Sequence, residues 1–259
     1  MRADPRTAGL TDDAVLAGRL RLKQPAGGHR VGHDAILLAA ACPARAGEQV
    51  VDLGAGVGAA GLALAARVEG CVVTLVEIDP ALAALAAENA QRNGLAARAR
   101  AVVLDSTAPA RAFAAAGLQQ ESVARVLMNP PFNDPVRQRT SPDRSRRVAH
   151  AATAETLASW VRTAARLLRP RGTLSLIWRA DGTAKVLAAL APAFGAVMLL
   201  PVHPKPDAPA IRILVRAAKA SRAPLELLPG FVLADGSGNS TAEAEAVLRS
   251  GSGLALAEI

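Results

Sequence analysis

Four consecutive residues, Asn129-Pro130-Pro131-Phe132, combine one side-chain amide, two rings that fix the backbone and one flat apolar face. They close the apolar run Val126-Leu127-Met128, which reads as a buried strand, because proline fixes φ and supplies no N–H. These residue types in this order suit the holding of a planar –NH₂ group for attack on an electrophile. The nitrogen of a nucleobase amine or a carboxamide is a poor nucleophile, since its lone pair is delocalised. The Asn129 side-chain oxygen and the Pro130 carbonyl would each accept one of its hydrogens. That aims the lone pair and stabilises the charge developing on nitrogen. Phe132 would stack on the ring that carries the amine. A Pro-rich turn after a core strand accounts for the four letters equally well, so the surrounding elements must decide.

Those elements alternate. Gln49–Leu53 reads as a strand entering Gly54-Ala55-Gly56-Val57-Gly58, with an Ala/Leu-rich helix over 59–67. A second strand over 72–78 leads through Asp79-Pro80 to a helix over 81–93, closed by Gly94. A third strand, 101–104, ends at Asp105, and a weak helix over 110–116 precedes the strand that carries Asn129. A helix over 154–168, a strand over 173–178, a helix over 182–190 and strands over 197–202 and 211–215 follow. Alternation of this kind predicts an α/β fold, a mainly parallel sheet covered on both faces. Too few residues separate the last two strands for a helical crossover, so that pair is expected to be antiparallel. Upstream, residues 1–13 read as polar and frayed, and Leu20–Pro25 as a short strand or arm. A helix then runs from Asp34 to Ala41, where Asp34 is either a helix cap or a ligand contact. The expected organisation is an arm over 1–30, a main domain over 31–217 and an extension over 218–259 packed on it. That extension shows one strand-like run, Leu225–Leu233.

The glycine-rich turn lets backbone approach a ligand at a helix N-terminus. Gly54, Gly56 and Ala59 satisfy a dinucleotide-binding pattern, with Glu77 at about the spacing of its ribose-binding acid, so a nicotinamide-type oxidoreductase competes at this point. Three acids shift the balance. Asp52, two residues before the first glycine, would repel a pyrophosphate and attract the ammonium or sulfonium of S-adenosylmethionine. Glu77, at the end of the second strand, would pair with ribose hydroxyls, and Asp105, at the end of the third, with the adenine amine. All three, and Asn129, fall at the carboxyl ends of parallel strands, where open α/β sheets bind ligands.

With 259 residues and 51% hydrophobic composition the chain has enough apolar side chains for a substantial core. No apolar stretch approaches the ~18 residues of a membrane helix, and no secretory leader is read at 1–13. Cys42 and Cys71 lack metal-site spacing and read as buried thiols of a cytoplasmic protein; no metal is expected. The formal charge of +8 favours a polyanionic partner such as RNA. The absence of tyrosine, with 2% aromatics overall, argues against an RNA-recognition-motif sheet.

At this point the sequence resembles the class I S-adenosylmethionine-dependent methyltransferases that modify exocyclic or amide nitrogens. The pieces are VVDLGAGVG at 50–58, LVEID at 75–79, LD at 104–105 and NPPF at 129–132. LKQPAGGHRVGHDAILLAA at 22–40, SPDRSRRVAHA at 141–151 and HPKP at 203–206 resemble the bacterial tRNA(Val) adenine amino-methyltransferase group. The resemblance implies a Rossmann-like, seven-stranded, mostly parallel methyltransferase sheet with an antiparallel last strand. It also implies cofactor contacts at Asp52, Gly54, Gly56, Glu77 and Asp105 and a catalytic loop of Asn129, Pro130, Pro131 and Phe132. The expected reaction is methylation of an adenine amine in RNA, tRNA foremost. Phe132 stands where tyrosine is more usual in the tRNA enzymes; phenylalanine is familiar in ribosomal-RNA guanine amino-methyltransferases, which keeps guanine open. Glutamine of a release factor presents the same –NH₂ and is a further alternative, as is an RNA-binding protein without activity. Arg144, Arg146 and Arg147, with Arg137 and Arg139, follow the loop and would contact phosphates. Trp160 and Trp178 fall in core patterns, and Lys205 is a substrate-facing candidate.

Overall fold

The structure, a computed structural model, describes residues 9–27, 31–131 and 144–258, and for 144–154 the backbone alone. An N-terminal hairpin, β1 (Leu10–Val15) and β2 (Leu20–Pro25), precedes α1 (His33–Ala41). Then come β3 (Gln49–Leu53), α2 (Ala59–Arg67), β4 (Val72–Glu77), α3 (Pro80–Arg92), β5 (Ala99–Val103), α4 (Ala110–Ala115) and β6 (Val123–Met128). The second half holds α5 (Arg144–Leu167), β7 (Leu168–Arg179), α6 (Thr183–Leu190), β8 (Phe194–His203) and β9 (Arg212–Lys219). Two short strands, β10 (Glu226–Leu227) and β11 (Phe231–Val232), and α7 (Ala242–Leu248) complete it.

The expected seven-stranded sheet is present in the order β5-β4-β3-β6-β7-β9-β8, and β10 and β11 add to its β8 edge. Strands β3 to β7 pair in parallel, and β9 turns back between β7 and β8, antiparallel to both. Alternation along each strand divides the core into two layers. Val50, Val73, Leu75 and Leu127 pack with α1, α2 and α3, while Val51, Val76, Val126 and Met128 pack with α4, α5 and α6. Helix α2 approaches β4 closely because Gly61 carries no side chain: a Cβ there would lie 2.3 Å from Leu75 Cδ2. At the amino ends of the strands, Arg125, 8% exposed, is held by both carboxylate oxygens of Glu48 at 2.9 Å.

Several expectations are corrected. Residues 10–13 are not frayed but belong to β1, which pairs with β2 from Leu10↔Pro25 to Val15↔Leu20. Only β2 buries strong apolar residues, Leu20 and Leu22, so β1 has little pattern of its own to read. Helix α5 starts at Arg144, ten residues before the expected 154, because no glycine or proline interrupts its Ala- and Arg-rich first turns. The run over 225–233 is two strands, broken at Pro229-Gly230. Helix α7 went unread; Thr241 caps it by accepting from Ala244 N–H at 3.0 Å, and it packs on α1. Asp34 does lie in the first turn of α1, as expected, and it also accepts from Arg212 Nε at 2.9 Å. Cys42 and Cys71 are buried free thiols, and burial pushes the Cys42 thiol up to about 11.

Candidate active site

Strand register assembles the site. Leu53 pairs with Val76 on one side and Met128 on the other, and Val76 pairs with Val102. The next residue of each strand therefore falls in one row, Val103, Glu77, Gly54 and Asn129, at the carboxyl end of the sheet. Neighbours in such a row are about 4.8 Å apart, which puts Glu77 and Asn129 about 10 Å from each other across Gly54.

The loop after β3 is held by its own N–H groups. Gly54 and Ala55 N–H both donate to Val76 O (2.8 and 2.9 Å), Gly56 N–H to Glu77 Oε2 (2.8 Å) and Gly58 N–H to Ala55 O (2.8 Å). Gly54, Gly56 and Gly58 all have positive φ, which favours glycine. Below the loop Asp52, 2% exposed, accepts from Gly61 N–H at 2.8 Å in the first turn of α2. Burial pushes its carboxyl up to about 7, with Glu77 adding and the Gly61 N–H opposing. This arrangement disfavours a dinucleotide. A pyrophosphate is drawn to N–H donors at a helix N-terminus, and here the N–H groups of Gly54, Ala55, Gly56, Gly58 and Gly61 are taken by protein acceptors, two of which are the carboxylates of Glu77 and Asp52.

Glu77 is 7% exposed and accepts through both oxygens, Oε2 from Gly56 N–H and Oε1 from Asp79 N–H at 2.9 Å. Each carboxylate oxygen has a second lone pair, so capacity for two hydroxyl donors remains. Asp105 follows β5, where its Oδ1 accepts from Thr107 N–H (2.7 Å) and Oγ1 (2.8 Å). Ile78 and Val103, beside Glu77, are 62% and 55% exposed, an apolar wall suited to a flat heterocycle. Sequence reasoning missed both; the available signal for Ile78 was its place directly after the strand-end acid Glu77, while Val103 is placed only by its pairing with Glu77.

At the other end of the row, Asn129 Oδ1 is buried and has no hydrogen-bond partner among the described residues. A buried amide oxygen left without a donor costs about 1–3 kcal/mol, so an orphan of this kind calls for a reason. Pro130 is buried and Pro131 exposed, while Phe132 lies outside the described residues. Trp178 is core, as expected, but Trp160 is only partly buried and its ring lies over Gly54. A Cβ on Gly54 would sit 2.2 Å from Trp160 Cη2, so the first glycine of the loop is required twice, for its φ of +69° and for this contact. Arg144, Arg146 and Arg147 fall in the first turn of α5, with side chains outside the described set, as Arg137 and Arg139 are altogether. Lys205 is exposed beyond the end of β8.

Residues 28–204 match the family model of the methyltransferase small domain. The chain belongs to this family. It is a class I, S-adenosylmethionine-dependent methyltransferase, as the motifs implied. Among curated relatives, the tRNA1(Val) (adenine(37)-N6)-methyltransferase of Tolumonas auensis is 31% identical over 167 residues, 64% of this chain and 65% of that one. The protein of the same name from Bacteroides fragilis is 30% identical over 191 residues, 72% of this chain and 76% of that one. Among solved structures, a predicted O-methyltransferase from Agrobacterium tumefaciens is 32% identical with a TM-score of 0.73, covering 85% of this chain and 98% of that one. TrmN from Thermus thermophilus shares the fold, with a TM-score of 0.52 and 22% identity over 71% of this chain and 47% of that one.

Proposed function

We propose that this methyltransferase transfers the methyl group of S-adenosylmethionine to the exocyclic amine of adenine in RNA, with tRNA as the substrate. The observation that carries the reading is the orphaned Oδ1 of Asn129, placed one strand from the glycine loop and backed by two prolines. An amide oxygen in that state is a waiting acceptor for an N–H donor, and an exocyclic amine supplies one. The names of the Tolumonas and Bacteroides relatives support adenine and tRNA.

In this reading the donor supplies an electrophilic methyl group, and the protein supplies position and charge. Glu77 and Asp105 hold the nucleoside end, Ile78 and Val103 cover a ring face, and Gly54 and Gly56 permit close approach of the backbone. Asp52 stabilises the loop from below and biases its surroundings toward positive charge. Asn129 Oδ1 and the Pro130 carbonyl hold the amine hydrogens, with Phe132 against the base. No strong general base is required, because a methylated, protonated aryl amine is very acidic and releases its proton to water. Arg144, Arg146 and Arg147 are assigned to phosphates. The cytoplasm is the matching compartment, and no helix among the described residues is long and apolar enough to cross a membrane.

The test is methylation of separated tRNA, ribosomal-RNA and protein fractions by the purified chain with labelled donor, followed by digestion to nucleosides and amino acids. Label in amino-methyladenosine from tRNA is the expected result. Label in methylguanosine from ribosomal RNA, in glutamine, or on a ribose oxygen would each refute the adenine assignment; the oxygen outcome would match the description of the Agrobacterium relative.

A further inference from the structure

Strand β2 has one edge paired with β1 and another that faces α3, and that second edge is completed by side chains instead of a strand. Asn93 Oδ1 accepts from Arg21 N–H (2.9 Å) and its Nδ2 donates to Arg21 O (2.8 Å). Asn89 repeats the pattern one helical turn earlier, accepting from Lys23 N–H (2.8 Å) and donating to Lys23 O (3.0 Å). The match is geometric. Residues four apart on a helix advance about 6.0 Å, and residues two apart on a strand about 6.8 Å, with both members on one edge. Two asparagines at this spacing therefore read a strand edge as a third strand would.

Asn89 does more than hold the hairpin. It is fully buried, and its Nδ2 also donates to Val57 O at 3.0 Å, inside the glycine loop. Donors and acceptor of this amide are all engaged, so its position is fixed from three sides at once: by α3, by β2 and by the loop. Asn93 has no such contact; its remaining hydrogen bond goes to Asn89 O at 2.7 Å. The backbone of the N-terminal hairpin is thus tied to the glycine loop through one side chain.

We infer that the β1–β2 hairpin belongs to the cofactor site and acts on it through Asn89, a positioning residue that fixes the Val57 carbonyl and with it the glycine loop. The inference rests on the reading of that loop as the S-adenosylmethionine site. Loss of the hairpin's hold frees Asn89 to rotate, and the loop loses a buried restraint that it otherwise brings to the donor ready-made.

The experiment is calorimetric titration of the full chain with S-adenosylmethionine, together with kcat at saturating donor. Lys23→Pro removes the N–H that Asn89 reads while leaving the Asn89 side chain in place. Glu88→Ala removes only the ion pair that Glu88 makes with Lys23 Nζ and serves as control. Lys23→Pro and Asn89→Ala are each expected to weaken donor binding by about five-fold or more, the worth of one buried hydrogen bond. Because both cut one link, the double variant is expected within about two-fold of the weaker single. Glu88→Ala is expected to bind normally, and kcat at saturation to hold. A Lys23→Pro protein that melts earlier but binds the donor as tightly as the unmodified chain would overturn the inference, since a merely structural hairpin behaves so. If Asn89→Ala does not fold, Lys23→Pro alone decides. Failure of the unmodified chain to bind the donor would overturn the cofactor reading, and this inference with it.

Discussion

Replacing Asp52 with asparagine isolates one buried charge. Asn keeps an oxygen that accepts from Gly61 N–H, so the packing beneath the loop is retained while the ionisable proton is lost. In the unfolded chain this carboxyl titrates near 3.8, and in the folded protein burial raises it to about 7. A folded value above the unfolded one means that the native state binds the proton more tightly. The resulting stability is fully present below 3.8 and is lost as pH rises through about 7. At about 1.36 kcal/mol per unit, the accumulated loss is roughly 1.6 kcal/mol at pH 5 and levels off near 4 kcal/mol by pH 8. The Asp52→Asn protein escapes this term. Its stability relative to the unmodified chain is therefore expected to rise by about 3 kcal/mol between those two conditions. Urea unfolding of both proteins in parallel, at matched ionic strength, measures the difference and cancels every other titrating group. A relative stability that is flat with pH, to within about 1 kcal/mol, would refute the reasoning, because the carboxyl would then be ionised throughout. The same titration bears on the ligand. A cation bound near Asp52 favours the ionised form, so donor affinity should strengthen as pH rises toward 7 in the unmodified protein and less so in Asp52→Asn.

Asn129→Ala should lower turnover by at least ~100-fold with donor affinity unchanged, as for loss of a contact made to the reacting amine; calorimetry and single-turnover rates separate the two, and equal losses would count against the role given to Asn129. Gly54→Ala places a methyl group 2.2 Å from Trp160 Cη2 and should abolish donor binding. Adding Trp160→Leu should restore part of it, leaving the cost of a positive φ, about 1–2 kcal/mol. At the opposite end of the sheet, Arg125→Ala takes the bidentate partner from the partly buried Glu48 but leaves it Arg169 at 3.0 Å, and should destabilise by about 1.5–3 kcal/mol in urea unfolding. Arg125→Met together with Glu48→Leu should recover most of that loss, because an apolar pair of similar size has no charge to desolvate.

The cofactor strand ends were legible because their residues are local signals. Glycine spacing after Leu53, the acid closing β4 and the amide before two prolines each carry their chemistry in adjacent letters. The boundaries of β3 and α2 and the end of β6 followed from apolar runs and breakers, although β6 starts at Val123, three residues before the run read from Val126. The N-terminal hairpin was half legible: β2 alternates Leu20 and Leu22 inward, but β1 has its place only through pairing with β2, whose other edge is held by Asn89 and Asn93 from far along the sequence. Trp160 was assigned to the core because a tryptophan at helical spacing has no local feature that tells a packed ring from one lying on a ligand loop.

By itself, then, the sequence determined the order of strands and helices from β3 to β9, the antiparallel return of β9 and the identity of the residues at the carboxyl edge, since periodicity, breakers and strand-end acids are properties of neighbouring residues. The tertiary structure alone decided how those residues stand to one another. Parallel register put Glu77, Gly54 and Asn129 in one row. Burial raised the Asp52 carboxyl to about 7 and set it beneath the loop, where it accepts from Gly61 N–H. Packing left Asn129 Oδ1 without a donor among the described residues and tied the hairpin to the glycine loop through Asn89. Register, desolvation and an unpaired acceptor depend on which groups surround an atom, and a linear chain does not specify those until it has folded.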